Sequence, residues 1–269
     1  MKYLKNKVKE KLRKCQMVLG AWVQLPSLET TEILAKNNPD FIVVDLEHSC
    51  IGFETLQKML MVIEGYDIPH FVRVNKNDPD IIKRVLEAGV YGVIVPMINS
   101  GEEAQKAVDS IAYVPKGIRG VGLSRAQSYS DGLEKYKEWY QNNIVLIAQI
   151  ETASAIENLE SILSCKEVDA TLIGPYDLSA SLGYPGDFQR PEMVEALQRY
   201  ESISKRQGRP HGYHIVHPTA ELIQEKLEKN YKFIICGSDQ IFLMEKSKSE
   251  FERIKKSASQ FLTAHGQEC

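Results

Sequence analysis

Asp45, Glu47 and His48 crowd into four positions directly after the apolar run FIVVD (41–45). Arg73 stands in a second short apolar run, HFVRV (70–74), and Gln149 and Glu151 close a third, IVLIAQIE (144–151). Asp177 follows a fourth, ATLIG (170–174), by three residues. Two carboxylates brought from neighbouring strands, Glu151 and Asp177, repel unless a proton or a cation lies between them. No Cys or His pair near them has zinc-like spacing. Carboxylate oxygens, with other positions left to water and substrate, point to a hard cation such as Mg²⁺ or Mn²⁺. The competing assignment is helix capping, because Glu151 precedes ASAIENL and Asp177 precedes LSASL. The planar fork of Arg73 suits a carboxylate or a developing enolate oxygen, or else a structural ion pair with an acid of the rim. His48 has acid neighbours that would orient it and raise its basicity for proton transfer. Its alternative is a half-buried histidine without a chemical role.

Such residues act together only if one framework carries them to one rim. Eight near-continuous apolar runs supply it: 18–24, 41–45, 70–74, 92–96, 144–151, 170–174, 212–216 and 233–237. Runs of this kind are the mark of parallel strands buried on both faces. Amphipathic helical patterns lie between them, at 27–37, 79–89, 100–111, 153–164, 191–207 and 219–229. Strands alternating with helices predict βαβ units, and eight predict a closed (β/α)8 TIM barrel, with a doubly wound open sheet as the alternative. A barrel of about 250 residues forms one domain, so 1–269 reads as a single unit with a helix added at each end. The N-terminal helix is expected from Leu4, Val8 and Leu12, its Lys and Arg residues forming a solvated face. Barrel chemistry sits at the C-terminal strand ends, which also brings Gln24, Gly174, His217 and Asp239 to the rim. His214, three residues from His211 and from His217, points to the opposite face of its strand, so the three do not form a metal site. No strand end carries the desolvated Lys that a Schiff-base lyase needs. The stretch 113–132 reads as an extended loop, and its GIRGVG is a weak phosphate-loop candidate because it follows no strand.

Composition narrows the classes further. With 33 Lys+Arg against 36 Asp+Glu, the net charge is −3 and 43% of residues are hydrophobic. That excludes a disordered chain and gives no footprint for a nucleic-acid partner. The longest apolar runs fall far short of the ~20 residues that span a bilayer, and no long apolar region follows the basic N-terminus. Five widely spaced cysteines without a CxxC fit a reducing cytoplasm rather than a disulfide framework.

Read together, LGAWVQLPSLETTEILA, FIVVDLEHSCIGFETL, VRVNKNDPDIIKRVLEAGVYGVIVPMINS, PKGIRGVG, QIETASAIENLESI and VDATLIGPYDLSASLG resemble the HpcH/HpaI-type class II pyruvate aldolases. That family includes 4-hydroxy-2-oxoheptanedioate and 2-dehydro-3-deoxyglucarate aldolases. The resemblance covers about residues 17–250 and implies a metal-dependent aldolase. Such an enzyme reversibly cleaves a 4-hydroxy-2-oxoacid to pyruvate and an aldehyde through a metal-stabilised pyruvate enolate. Residue by residue, it implies Glu151 and Asp177 as ligands of Mg²⁺ or Mn²⁺ and Arg73 as the contact to the pyruvate oxygen. The backbone around Gly174 and Pro175 would help hold the pyruvate carboxylate, with Gln149 beside the metal. His48 would move protons with Glu87 as its acidic partner, where the best-known members carry a shorter Asp. The resemblance also implies a cytoplasmic homo-oligomer, often a hexamer, whose terminal helix around 244–262 exchanges between subunits. It leaves the aldehyde open and assigns its selection to the loops 123–143 and 184–190. The alternative within the same fold is an acyl-CoA lyase of the citrate-lyase β-subunit type.

Overall fold

The computed structural model describes residues 1–264. Its strands are β1 (Val18–Val23), β2 (Phe41–Asp45), β3 (His70–Arg73), β4 (Gly92–Val95), β5 (Val145–Ile150), β6 (Ala170–Ile173), β7 (His211–Ile215) and β8 (Phe233–Ser238). They pair in parallel and in sequence order around a closed barrel. The pairing of β1 with β8, Val18 opposite Phe233 and Gly20 opposite Ile235, closes the circle and excludes the open doubly wound sheet. Every residue of β2, β3, β4, β5 and β6 is buried. Burial on both faces is the physical reason these strands read as continuous apolar runs rather than alternating ones.

Helices cover the strands: α1 (Lys7–Arg13), α2 (Leu28–Lys36), α3 (Phe53–Gly65), α4 (Pro79–Glu87), α5 (Gly101–Ile111), α6 (Leu133–Asn143), α7 (Ala153–Glu157), α8 (Leu159–Ser164), α9 (Pro175–Ser181), α10 (Pro191–Arg206), α11 (Ala220–Glu228) and α12 (Asp239–Ala264). Their starts follow capping chemistry. In α4 the Asp78 side chain accepts from the N–H groups of Asp80 and Ile81, and Pro79 occupies the first turn, where no N–H is needed. The pattern at 153–164 is two short helices meeting at Asn158. The stretch 113–132 is not a plain loop: Tyr113 and Arg119 form a bridge, and Arg125–Ser130 is a 3-10 turn.

The N-terminal end of the barrel is sealed. Phe41, Phe71 and Phe233 stack inside it, with ring centroids 5.2 Å apart for Phe41–Phe71 and 4.6 Å for Phe41–Phe233. Gly20 makes room for them, since a Cβ there would lie 2.3 Å from the Phe41 ring. Helix α1 docks across this end. Val8 and Leu12 are buried, and Lys9 is buried too, bonded to Asp169 at 2.8 Å and to the Ile144 carbonyl. The expected solvated face is therefore incomplete, and Leu4 precedes the helix and is partly exposed. At the other terminus α12 carries exposed Leu243, Met244, Phe251 and Ile254, all more than half exposed. Among the described residues no helix is long and apolar enough to cross a membrane.

Candidate active site

The parallel register sets Asp45 of β2 directly beside Arg73 of β3. Their side chains join bidentately, Arg73 Nε to Asp45 Oδ1 at 2.8 Å and Nη2 to Oδ2 at 2.6 Å. Arg73 Nη1 lies 3.2 Å from Glu47 Oε2. Asp45 also accepts from Gln24 Nε2 at 3.0 Å and from the Glu47 N–H at 3.0 Å. The guanidinium lies 4.7 Å from the centre of the Trp22 ring, and Trp22 meets His214 edge-on at 5.5 Å. Arg73 is thus locked in the ion pair that was its structural alternative, with N–H groups of its outer edge left for a ligand.

The second half of the site lies past β5 and β6. Ile150 is paired with Ile173, so Glu151 and Gly174, one residue further on, are neighbours. Glu151 is buried; its Oε1 accepts from the Met97 N–H at 2.6 Å and its Oε2 from Gln149 Nε2. Neither acid caps a helix. Thr152 caps α7, and the start of α9 at Gly174 has no side-chain cap. Gly174 closes against the carboxylate: a Cβ there would sit 3.0 Å from both Cβ and Oε2 of Glu151. The Gly174 N–H already donates to the Ile150 carbonyl at 2.9 Å, and proline has no N–H. Gly174 and Pro175 themselves therefore offer space, and the donors of this stretch of backbone lie just beyond them. The backbone N–H groups of Tyr176 and Asp177 make no hydrogen bond among the described residues.

The electrostatics bind these halves together. Burial, with further repulsion from Glu151, Asp45 and Asp177, pushes the Glu47 carboxyl up to about 7 against the opposing pull of Arg73. Burial raises Glu151 as well, against the hydrogen bonds from Gln149 and Met97, and Asp177 adds to the rise. For Asp45 burial acts upward, but the hydrogen bonds and charge of Arg73 prevail and hold it below the usual range. His214, desolvated beneath Trp22, is held down to about 4 and is neutral at physiological pH. Three polar atoms buried here, Glu47 Oε2, Gln149 Oε1 and His214 Nε2, have no hydrogen-bond partner among the described residues.

These observations test the fit of a divalent cation. Carboxylates that raise one another's proton affinity, beside the unpartnered Gln149 Oε1, form an oxygen-rich, electron-rich niche that suits a hard cation. Among the described residues no group of three or more His, Cys, Asp or Glu gathers at one point, so Glu151 and Asp177 would leave most positions to water and substrate. The residues fit the group.

His48 is exposed, with Glu47 Oε2 4.0 Å from its Nε2. Glu87 is not beside it. It ends α4, which runs back from the mouth, and touches the loop of Gly122 and Ser124, with Ser124 Oγ 3.4 Å away. The expected His48–Glu87 pair does not form within the chain because the two stand at opposite ends of the barrel. Segment 123–143 lies at that far end too, where Tyr3 donates to the Ala126 carbonyl and Trp139 to that of Leu4, so it lines no mouth within its own chain. The loop 184–190 does flank the mouth: Phe188 packs edge-on against exposed Tyr176, next to Asp177. His217 pairs with Glu245 of α12. Pattern reasoning left out Trp22 and the Met97 N–H, and it turned His214 away from chemistry. Met97 has positive φ, a backbone state that no side-chain pattern signals.

Comparison with known proteins supplies an independent view. A family model described as HpcH/HpaI aldolase/citrate lyase matches residues 18–245. The 5-keto-4-deoxy-D-glucarate aldolases of Klebsiella pneumoniae and Salmonella paratyphi A are each 36% identical over 234 residues, 87% of this chain and 91% of theirs. Among solved structures, an HpcH/HpaI aldolase/citrate lyase family protein from Burkholderia cenocepacia superposes with a TM-score of 0.87 at 27% identity, covering 93% of this chain and 99% of that one. A citrate lyase β subunit from M. tuberculosis, complexed with oxaloacetate and magnesium, shares the fold at 16% identity, with a TM-score of 0.53 over 86% of this chain and 95% of that one.

Proposed function

The chain belongs to the HpcH/HpaI aldolase/citrate lyase family, and from that premise we propose that it is a class II aldolase cleaving a 4-hydroxy-2-oxoacid to pyruvate and an aldehyde. The observation that carries the reading is the single rim where Arg73, held by Asp45, faces the carboxylates Glu47 and Glu151. A 2-oxoacid offers two adjacent oxygen functions, and this rim offers one fixed cation and one niche for a second.

Arg73 binds the keto oxygen and stabilises it as negative charge develops during cleavage. Because Asp45 fixes its two donor edges, Arg73 is already oriented when substrate arrives, and little rearrangement is needed in the transition state. Glu151 and Asp177 would hold Mg²⁺ or Mn²⁺, with Gln149 beside it; when bound, the cation supplies a second positive charge to the 2-oxoacid oxygens. The N–H groups of Tyr176 and Asp177 are open to the pyruvate carboxylate, and Gly174 leaves it room. His48 takes the proton from the 4-hydroxyl as the C3–C4 bond breaks, the proton passes through water to C3 of the enolate to give pyruvate, and the aldol direction reverses both transfers. Its nearest acid in the chain is Glu47, so a His48–Glu87 pair of the kind the resemblance implies requires a second copy. A homo-oligomer, with hexamer as the family's common state, supplies one, and the exposed Leu243, Met244, Phe251 and Ile254 of α12 suit the exchange of that helix between copies. Tyr176, Phe188 and the 184–190 loop are the groups positioned to select the aldehyde. The reading takes 1–269 as one catalytic barrel, 265–269 lying outside the described residues, acting on small molecules in the cytoplasm; Cys15, Cys50, Cys165 and Cys236 are free.

The test is to incubate the protein with pyruvate, a panel of aldehydes and Mg²⁺ or Mn²⁺, and to read adducts by mass. A pyruvate-dependent 4-hydroxy-2-oxoacid supports the reading. Turnover of malyl- or citramalyl-CoA with no pyruvate–aldehyde adduct would replace it with the acyl-CoA lyase.

A further inference from the structure

A cavity of about 710 Å³ lies away from the catalytic mouth. It opens at the opposite end of the barrel, where α1 crosses the starts of β5 and β6, and its floor is the buried Lys9–Asp169 pair. Four further cations line it: Arg13 from α1, Lys116 from the loop after α5, Lys166 from the turn before β6 and Arg209 from the turn before β7. None of the four makes an ion pair among the described residues. Arg209 reaches only the carbonyls of Lys166 and Val168, at 3.4 and 3.5 Å, and Lys116 only the amide oxygen of Gln141 at 3.3 Å. The side chains of Arg13 and Lys166 make no hydrogen bond among the described residues. Glu167 is the one carboxylate on the wall that is not already paired.

A chain of net charge −3 thus gathers four cations without ion pairs among the described residues, from four separate segments, around one concavity, against the single unpaired carboxylate of Glu167. Cations held together repel, and a concavity with an excess of one sign focuses its field and concentrates ions of the other. The volume lies within the range of small-molecule sites, roughly 300–1,000 Å³. We propose that this cavity binds a small, multiply charged anion, a phosphorylated or polycarboxylate metabolite, at a site separate from the catalytic mouth. The guanidinium groups of Arg13 and Arg209 supply planar paired donors to the anion, and Lys116 and Lys166 supply point charges. Because α1 carries Arg13 and covers the barrel floor, an occupant ties α1 to the β6 and β7 turns and stabilises the folded chain by mass action. The inference does not depend on the reaction at the mouth.

The test uses the full chain and two probes, inorganic phosphate and citrate, in calorimetric titrations and thermal melts, with sodium chloride at matched ionic strength as the control. At least one probe is expected to bind with a raised Tm that sodium chloride does not reproduce, and the stronger probe tells phosphate from polycarboxylate chemistry. Arg13→Gln/Lys166→Gln, at exposed positions that leave the floor pair intact, should weaken binding at least tenfold; Lys116→Gln/Arg209→Gln repeats the test from the other wall. Arg73→Lys, which alters the mouth alone, should leave the affinity unchanged. The proposal is overturned if neither probe binds beyond the salt control, if both double variants bind as wild type does, or if Arg73→Lys alone abolishes binding.

Discussion

Glu47→Gln removes a carboxyl of the rim whose proton affinity is raised into the neutral range, and its effect on stability has a definite sign. In the fold Glu47 holds its proton up to about 7, against an ordinary value of 4.5, because it is buried beside Glu151, Asp45 and Asp177. Between those limits the folded chain binds more protons than the unfolded one, so stability falls as pH rises. The contribution is fully present below 4.5 and is lost as pH passes through 7. A displacement of that size corresponds to about 3 kcal/mol, at roughly 1.4 kcal/mol per tenfold change. Glutamine keeps the shape and never ionises. In metal-free urea denaturation at pH 5, 6, 7 and 8, wild type should lose up to about 3 kcal/mol through this group while the variant stays nearly level. The variant should then be the more stable protein at pH 8, even though it has lost the Glu47–Arg73 contact. Parallel profiles for the two proteins, or a wild type that gains stability through this window while the variant does not, would refute the electrostatic picture of the rim.

Other outcomes follow from the same contacts. Gly174→Ala should weaken Mg²⁺ binding in calorimetry at least tenfold with little loss of Tm, since the new methyl meets Glu151 at 3.0 Å while the backbone keeps an ordinary conformation. Phe233→Ala should cost about 3–5 kcal/mol in chemical denaturation by opening the stack that seals the barrel. Leu243→Asp/Phe251→Asp, at exposed positions of α12, should shift sedimentation toward smaller species if the helix is an assembly element, and should leave the monomer fold intact.

Much of this arrangement is legible in the sequence because it depends on local order. Parallel strands buried on both faces leave apolar runs, and barrel chemistry follows the last residue of each, so Arg73, Gln149 and Glu151 can be marked without coordinates. Proton affinity is not legible, because the rise of Glu47 depends on charges from residues 45, 151 and 177 meeting in space. Donor availability is hidden as well: which N–H groups around Gly174 and Pro175 are free is not written in the sequence, and the one on Gly174 is already given to Ile150. His48 and Glu87 show the limit of residue matching, since a pair carried over by resemblance is separated by the length of a helix within one chain. A strand count of three sets His214 on the face opposite His211, as found, but does not reveal that this face meets Trp22 beneath Arg73.

The proposed aldolase rim combines Arg73 with a divalent cation that Glu151 and Asp177 would hold. Its most direct test is pyruvate release from a 4-hydroxy-2-oxoacid, followed while EDTA and then Mg²⁺ or Mn²⁺ are added, for wild type and for Asp177→Asn. Wild type should lose activity in EDTA and regain it with metal, and the variant should require far more metal or fail to recover. Undiminished cleavage in EDTA by a protein shown to be metal-free would contradict the account.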